Sequence, residues 1–140
     1  MVNETAFYQL FKGSLFHINM KRRILIVDDD RDHADSIADI VTLRGHDVEI
    51  ATSGEAGVER FREAPFDLVL MDVKMPGMNG VEAFFELRKL RPDARVMMMT
   101  GFSVEQLVDQ ALANGALGTM RKPLELPQLL ETVDNLPSAA

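Results

Sequence analysis

Residues 24–30 read Ile24-Leu25-Ile26-Val27-Asp28-Asp29-Asp30, four residues suited to the interior of a sheet followed by three carboxylates. Two carboxylates about 4 Å apart at an effective dielectric near 20 repel each other by roughly 4 kcal/mol. A strand that leaves a core and ends on such a cluster needs a compensating positive charge at its carboxyl end. What supplies that charge depends on what the rest of the chain brings to the same place.

Outward from this stretch, short apolar runs alternate with segments of helical period. The pattern predicts strands at 24–27, 47–51, 66–71, 95–99 and 116–120, and helices at 31–44, 53–64, 80–91, 103–114 and 126–136. Phe66-Asp67-Leu68-Val69-Leu70-Met71 and Val96-Met97-Met98-Met99 are nearly continuous apolar runs, the mark of strands covered on both faces. The Met97–Met99 run therefore reads as core filling, not as a thioether metal site. Five strand–helix units with right-handed crossovers imply an α/β fold, a doubly wound five-stranded parallel sheet of flavodoxin-like strand order 2-1-3-4-5.

Helix punctuation supports the pattern. Thr52-Ser53-Gly54-Glu55 and Ser103-Val104-Glu105-Gln106 fit the capping box, and Val104, Leu107, Val108, Ala111 and Leu112 form one apolar stripe. Gly45 and Asn114-Gly115 close helices, and Pro127 fits the first turn of the last one. Asp30 reads as the N-cap of 31–44, with Asp32 and Asp35 as first-turn acids favoured by the helix dipole. Phe84 and Phe85 cannot point the same way on a helix, so one of them packs at an edge or faces a partner.

At 140 residues, 46% apolar and 26% charged, the chain suits one globular domain, here residues 21–137 with a short tail at 138–140. A formal charge of -7 argues against direct contact with nucleic acid or an anionic lipid surface. No apolar run approaches the roughly 20 residues of a membrane span. The start Met1-Val2-Asn3-Glu4 lacks the basic opening of a signal peptide, so a cytoplasmic location is expected. With no cysteine, disulfides, thiolate metal sites and cysteine nucleophiles are excluded, and a metal would be held by oxygen or imidazole. His17, His33 and His46 show no ligand spacing and read as surface residues.

Residues 1–20 hold four of the nine aromatics, Phe7, Tyr8, Phe11 and Phe16. Two readings stay open. The segment is an added amphipathic helix that packs on the domain or on a second copy in a homodimer, or it is an upstream start with Met20 as the natural first residue.

On this scaffold Asp28 and Asp29 follow the first strand, Asp72 the third, Thr100 the fourth and Lys122 the fifth, all at one edge of the sheet. Strands one and three are neighbours in the expected order, so three carboxylates share one crevice. Left alone they would raise one another's pKa values. Oxygen-only ligands with room for water suit Mg²⁺, the first candidate for the missing charge. A carboxylate beside a cation and a lysine can accept a phosphoryl group. Asp72, which stands apart at the head of the loop 73–80, is the best nucleophile. Asp28 and Asp29 are better seen as metal ligands, direct or through water, while Thr100 and Lys122 can contact phosphoryl oxygens.

At these residues the chain resembles the receiver domain of two-component response regulators. The matching features are the acidic pair after the first strand, Leu70-Met71-Asp72-Val73-Lys74-Met75-Pro76-Gly77-Met78-Asn79-Gly80, Thr100-Gly101 and Lys122-Pro123. The resemblance implies a signalling switch, not a metabolic enzyme, in which Asp72 takes a phosphoryl group from a histidine kinase or phosphotransfer protein and a downstream protein or output domain reads the result. It also implies that Asp28, Asp29, Asp72 and the main-chain carbonyl of Lys74 surround Mg²⁺, and that the Lys122-Pro123 peptide is cis.

Receivers commonly carry Tyr or Phe three residues before the lysine, where this chain has Thr119. Phe102 is a bulky group that takes over part of that readout in our reading, and Phe102 with Lys74 is expected to shield the acyl phosphate from water. Two rival readings are a Mg²⁺-dependent phosphohydrolase of haloacid dehalogenase type, which would use the Asp28-x-Asp30 spacing, and a receiver-like binding module that is never phosphorylated. Against the first, Arg31 and Asp32 follow where a small hydroxyl or apolar residue is wanted, and the chain leaves little room for a substrate cap. Against the second, every acid, Thr100 and Lys122 are present.

Overall fold

The structure, a computed structural model, describes residues 21–101 and 104–137. The readings made for residues 1–20, Phe102, Ser103 and the tail 138–140 lie outside the described residues.

The chain runs β1 (Arg23–Val27), α1 (Arg31–Leu43), β2 (Asp47–Ala51), α2 (Gly54–Glu63), β3 (Leu68–Asp72), α3 (Gly80–Leu90), β4 (Val96–Thr100), α4 (Glu105–Ala113), β5 (Gly118–Arg121) and α5 (Leu126–Asp134). The strands form one parallel sheet in the order β2-β1-β3-β4-β5, as expected. Side chains alternate across a strand, so each apolar run feeds two cores. Leu25, Val27, Val69, Met71, Val96 and Met98 meet the helices α2, α3 and α4 on one face. Ile24, Ile26, Leu68, Leu70, Met97 and Met99 meet α1 and α5 on the other. The three methionines of β4 thus divide between the cores, each buried methionine or leucine contributing about 1.5–3 kcal/mol.

Several boundaries differ from the sequence reading, each for a local reason. β3 begins at Leu68; Asp67 just before it stays tied to β1, its amide donating to the Arg23 carbonyl at 2.8 Å and its carboxylate accepting the Arg23 amide at 2.7 Å. β3 and β4 each run one residue further than expected, so Asp72 and Thr100 are the last residues of their strands. Ser53, not Thr52, caps α2, its hydroxyl accepting from the Ala56 amide at 3.0 Å. A capping box that the sequence reading missed opens α3, where Asn79 and Glu82 satisfy each other's amides.

The helix expected at 103–114 starts at Glu105, with Val104 at the N-cap and no side-chain cap bond. Its buried line is Val104, Val108 and Ala111, while Leu107 and Leu112 remain 38% and 40% exposed. The stripe is narrower than expected because 104, 108 and 111 alone face the sheet, and the two leucines fall on either side of them. Phe84 is buried and Phe85 packs edge-on against it, ring centroids 5.3 Å apart. At the opposite end of the sheet the buried Arg22 donates to the carbonyls of Leu136 and Pro137 at 2.6 and 3.1 Å, which ties the end of the described chain to the start of β1.

Candidate functional site

The carboxyl edge of the sheet gathers the acids because parallel strands end together. β1 and β3 are direct neighbours, with Val27 paired to Met71, so Asp28 and Asp72 emerge side by side. Carboxylate oxygens of Asp28, Asp29 and Asp72 all lie within 4.8 Å of one another. Asp28 and Asp72 are buried and Asp29 is exposed, so the cluster opens to solvent on one side. Gly80 lets α3 begin against the end of β3, since a Cβ there would lie 2.0 Å from the Asp72 carbonyl oxygen.

Lys122, brought in after β5, places its ammonium between the two buried acids, 3.1 Å from Asp28 Oδ2 and 3.3 Å from Asp72 Oδ2. The peptide that follows, Lys122-Pro123, is cis, as the resemblance implied. Thr100 stands at the same edge, but its hydroxyl donates to the Met120 carbonyl at 3.5 Å and not to an acid. Lys74 is exposed in the loop two residues past Asp72. Thr119 is exposed beside Thr100 and Arg121 at the mouth of a cavity of about 260 Å³ between α4 and β5.

The electrostatics distinguish the two buried acids. Burial, followed by the charge of Asp28, pushes the Asp72 carboxyl up to about 7 despite Lys122. Burial opposes ionisation of Asp28 as well, but hydrogen bonds from His33, the Asp30 amide and Lys122 outweigh it and hold Asp28 below the usual carboxylate range. Burial works against the Lys122 charge, and the two acids more than offset it, so Lys122 is held above its ordinary value. One lysine therefore satisfies Asp28 and leaves Asp72 short of positive charge. The donor set fits a hard divalent cation: hard oxygens, clustered, with an electrostatic deficit and an exposed side for water.

His33 corrects the sequence reading, which placed it on the surface without a partner. Its Nδ1 lies 2.6 Å from Asp28 Oδ2, and because an ionised carboxylate only accepts, Nδ1 carries the hydrogen. No spacing rule announces this contact. Asp30 caps α1 as expected, accepting from the His33 amide at 3.2 Å, and that cap turns the first helical turn back over the strand end. His46 is half-buried and accepts the Arg22 amide at 3.0 Å. His33→Phe, which keeps the ring volume and removes the donor, is expected to destabilise the metal-free protein by about 1–3 kcal/mol at pH 7, measured by urea unfolding. An unchanged midpoint would show that Asp28 is satisfied without it.

Residues 24–134 match the model of the response regulator receiver domain. A response regulator receiver protein from Anaeromyxobacter sp. is 37% identical over 110 residues, 79% of this chain and 46% of its own length. The chemotaxis protein CheY of Thermotoga maritima is 33% identical over 118 residues, 84% of this chain and 98% of its own. Among solved structures, a CheY-like receiver domain protein from Methanospirillum hungatei superposes with a TM-score of 0.77 at 36% identity, covering 81% of this chain and 90% of that one. The chain thus spans less than half of the Anaeromyxobacter relative and nearly all of CheY.

Proposed function

The chain belongs to the response regulator receiver family, the phosphorylation-dependent signalling domains of two-component systems, and from that premise we propose that Asp72 is its phosphoryl acceptor. The observation that carries the assignment is the unequal pair of buried acids. Asp28 is paired by three donors, while Asp72, 5% exposed and pushed up to about 7, has among the described residues only the shared Lys122 as a side-chain donor. A carboxylate poised near neutrality and short of positive charge is a group whose conversion to an acyl phosphate brings new negative oxygens to where a lysine already waits.

Asp28, Asp29, Asp72 and the main-chain carbonyl of Lys74 would hold Mg²⁺, which when bound supplies charge for the acids and for phosphoryl oxygens. The chain's own groups do the rest. An oxygen of Asp72 attacks phosphorus; the new P–O bond forms as the P–N bond of a phosphohistidine donor breaks, and the donor imidazole departs with its proton. The Lys122 ammonium, now shared between the two acids, pairs with an oxygen of the transferred group. Thr100, whose bond to Met120 is long, turns its hydroxyl to another. Asp28, held ionised by His33 and the Asp30 amide, stays an acceptor throughout.

In this reading residues 21–137 form the working unit. The phosphoryl donor is a histidine kinase or phosphotransfer protein in the cytoplasm, and the receptor of the signal is a downstream protein or output domain. The chain is a switch that catalyses only its own phosphorylation and dephosphorylation. Among the described residues no helix is long and apolar enough to cross a membrane.

Incubation with Mg²⁺ and a small acyl-phosphate donor is expected to add one phosphoryl group per chain, read by intact mass, and a chelator is expected to prevent it. Turnover of generic phosphomonoesters would favour a phosphohydrolase instead, and no uptake would leave a binding module.

A further inference from the structure

The loop between β3 and α3, residues 73–79, leaves the sheet directly after Asp72 and carries Lys74. Its two ends are fastened to β4 and to the first turn of α3. The Val73 amide donates to the Met99 carbonyl at 3.2 Å, and the Val73 carbonyl accepts the Gly80 amide at 2.8 Å. At the far end the Asn79 amide donates to Glu82 Oε1 at 3.0 Å. Between them Met75 is buried, and the Met78 amide donates at 2.8 Å to Glu55 Oε1, on the second residue of α2.

The chain is shaped around this cross-element bond. Gly54 sits so close beneath the loop that a Cβ would lie 2.7 Å from the Met78 carbonyl oxygen. Gly77 has φ +73, a left-handed conformation that favours glycine, and a Cβ there would lie 2.9 Å from Glu55 Oε1. The Met78 amide, and next Glu55's own amide, hold the Glu55 carboxyl below the usual carboxylate range, so it meets the loop as an ion. Sequence reading assigns Glu55 to a helix cap, but Ser53 fills that role and Glu55 is turned to the loop instead.

We propose that Glu55 is a positioning residue, which clamps the loop after Asp72 so that the Lys74 carbonyl is held at the cation site, and thereby sets the affinity for Mg²⁺. The inference rests on the reading of the site given above. Mg²⁺ demands near-ideal octahedral geometry, so an oxygen supplied by a loop serves only if the loop is held in register. Residues that orient ligands without touching the metal typically carry 10–100-fold of metal affinity.

Glu55→Ala is expected to weaken the calorimetric Mg²⁺ Kd about tenfold and to speed hydrogen exchange at the Met78 amide. Glu55→Gln retains an oxygen acceptor and is expected to recover most of both. Glu59→Ala, which loses only the exposed pair with Arg62 at 3.3 Å, is expected to change neither. A Glu55→Ala Kd within about twofold of wild type overturns the inference, whatever the exchange rate does. A wild-type chain that binds no Mg²⁺ overturns the underlying reading and this inference with it, and the wild-type titration tells the two failures apart.

Discussion

Asp72→Asn is expected to take up no phosphoryl group and, in the same protein, to be more stable than wild type when metal-free at pH 8. The loss of uptake follows because an amide oxygen is a far poorer nucleophile than a carboxylate and cannot form the acyl phosphate. The gain in stability follows from the burial of Asp72. Its carboxyl is pushed up from 3.8 to about 7, so the folded state resists ionising a group that the unfolded chain ionises freely. Stability therefore falls as pH rises between about 4 and about 7, by on the order of 4 kcal/mol at most, and stays low above that window.

The neighbours do not cancel this. Asp28 is held below the usual range, so its contribution is complete above its unfolded value and is lost only in stronger acid. Lys122 is held above its ordinary value, so its contribution persists until strongly alkaline pH. His46 runs the other way from Asp72. Burial lowers it, and its contribution is lost as pH falls below the ordinary histidine range, but it is the same in both proteins and drops out of the difference. Urea unfolding of the two proteins in chelator at pH 5 and pH 8 checks the expectation. Equal stability at pH 8 would remove the electrostatic account of Asp72, and phosphoryl uptake by the variant would move the acceptor elsewhere.

The second large effect is expected of Lys122→Ala. It removes the only side-chain cation within 4 Å of Asp72 among the described residues and leaves two buried acids facing each other. Removing one partner of a buried pair costs about 3–5 kcal/mol, and the low end applies because the Lys122 side chain is 22% exposed. Phosphoryl uptake is expected to slow by about 10²-fold or more, the usual cost of a lost charge-stabilising donor. Saturating Mg²⁺ is expected to restore most of the stability, because a ligand that binds only the folded state stabilises by mass action. It is not expected to restore the rate if, as proposed, Lys122 pairs with an oxygen of the transferring group. Urea unfolding with and without Mg²⁺, together with the rate of mass gain, separates the two roles. An unchanged rate would remove Lys122 from the chemistry.

The elements were legible to within about two residues because each announces itself locally. Continuous apolar runs mark buried strands, Asp30 marks a cap, and Pro127 marks a first turn. Errors fell where a side chain chose a distant partner over a near one. The Asp67 carboxylate took the Arg23 amide at the foot of β3, and the Glu55 carboxylate took the Met78 amide of the loop. The α4 stripe was overread because helical period tells which residues share a side, not how much of that side another element covers.

By itself the sequence determined the alternation of strands and helices, and hence that Asp28, Asp29, Asp72, Thr100 and Lys122 would share one edge of a parallel sheet. That follows from chain direction alone, since parallel strands put all their carboxyl ends together. Tertiary structure decided what those residues do to one another. The packing of β1 beside β3 buries Asp28 and Asp72 within reach of a single lysine. The turn of α1 over the strand end gives Asp28 a second cation-capable partner in His33, and the contact of α2 with the loop fixes the backbone beyond Asp72. Desolvation and charge–charge distance set which acid is held ionised and which is left poised, and both are properties of three-dimensional proximity that no spacing along the chain encodes.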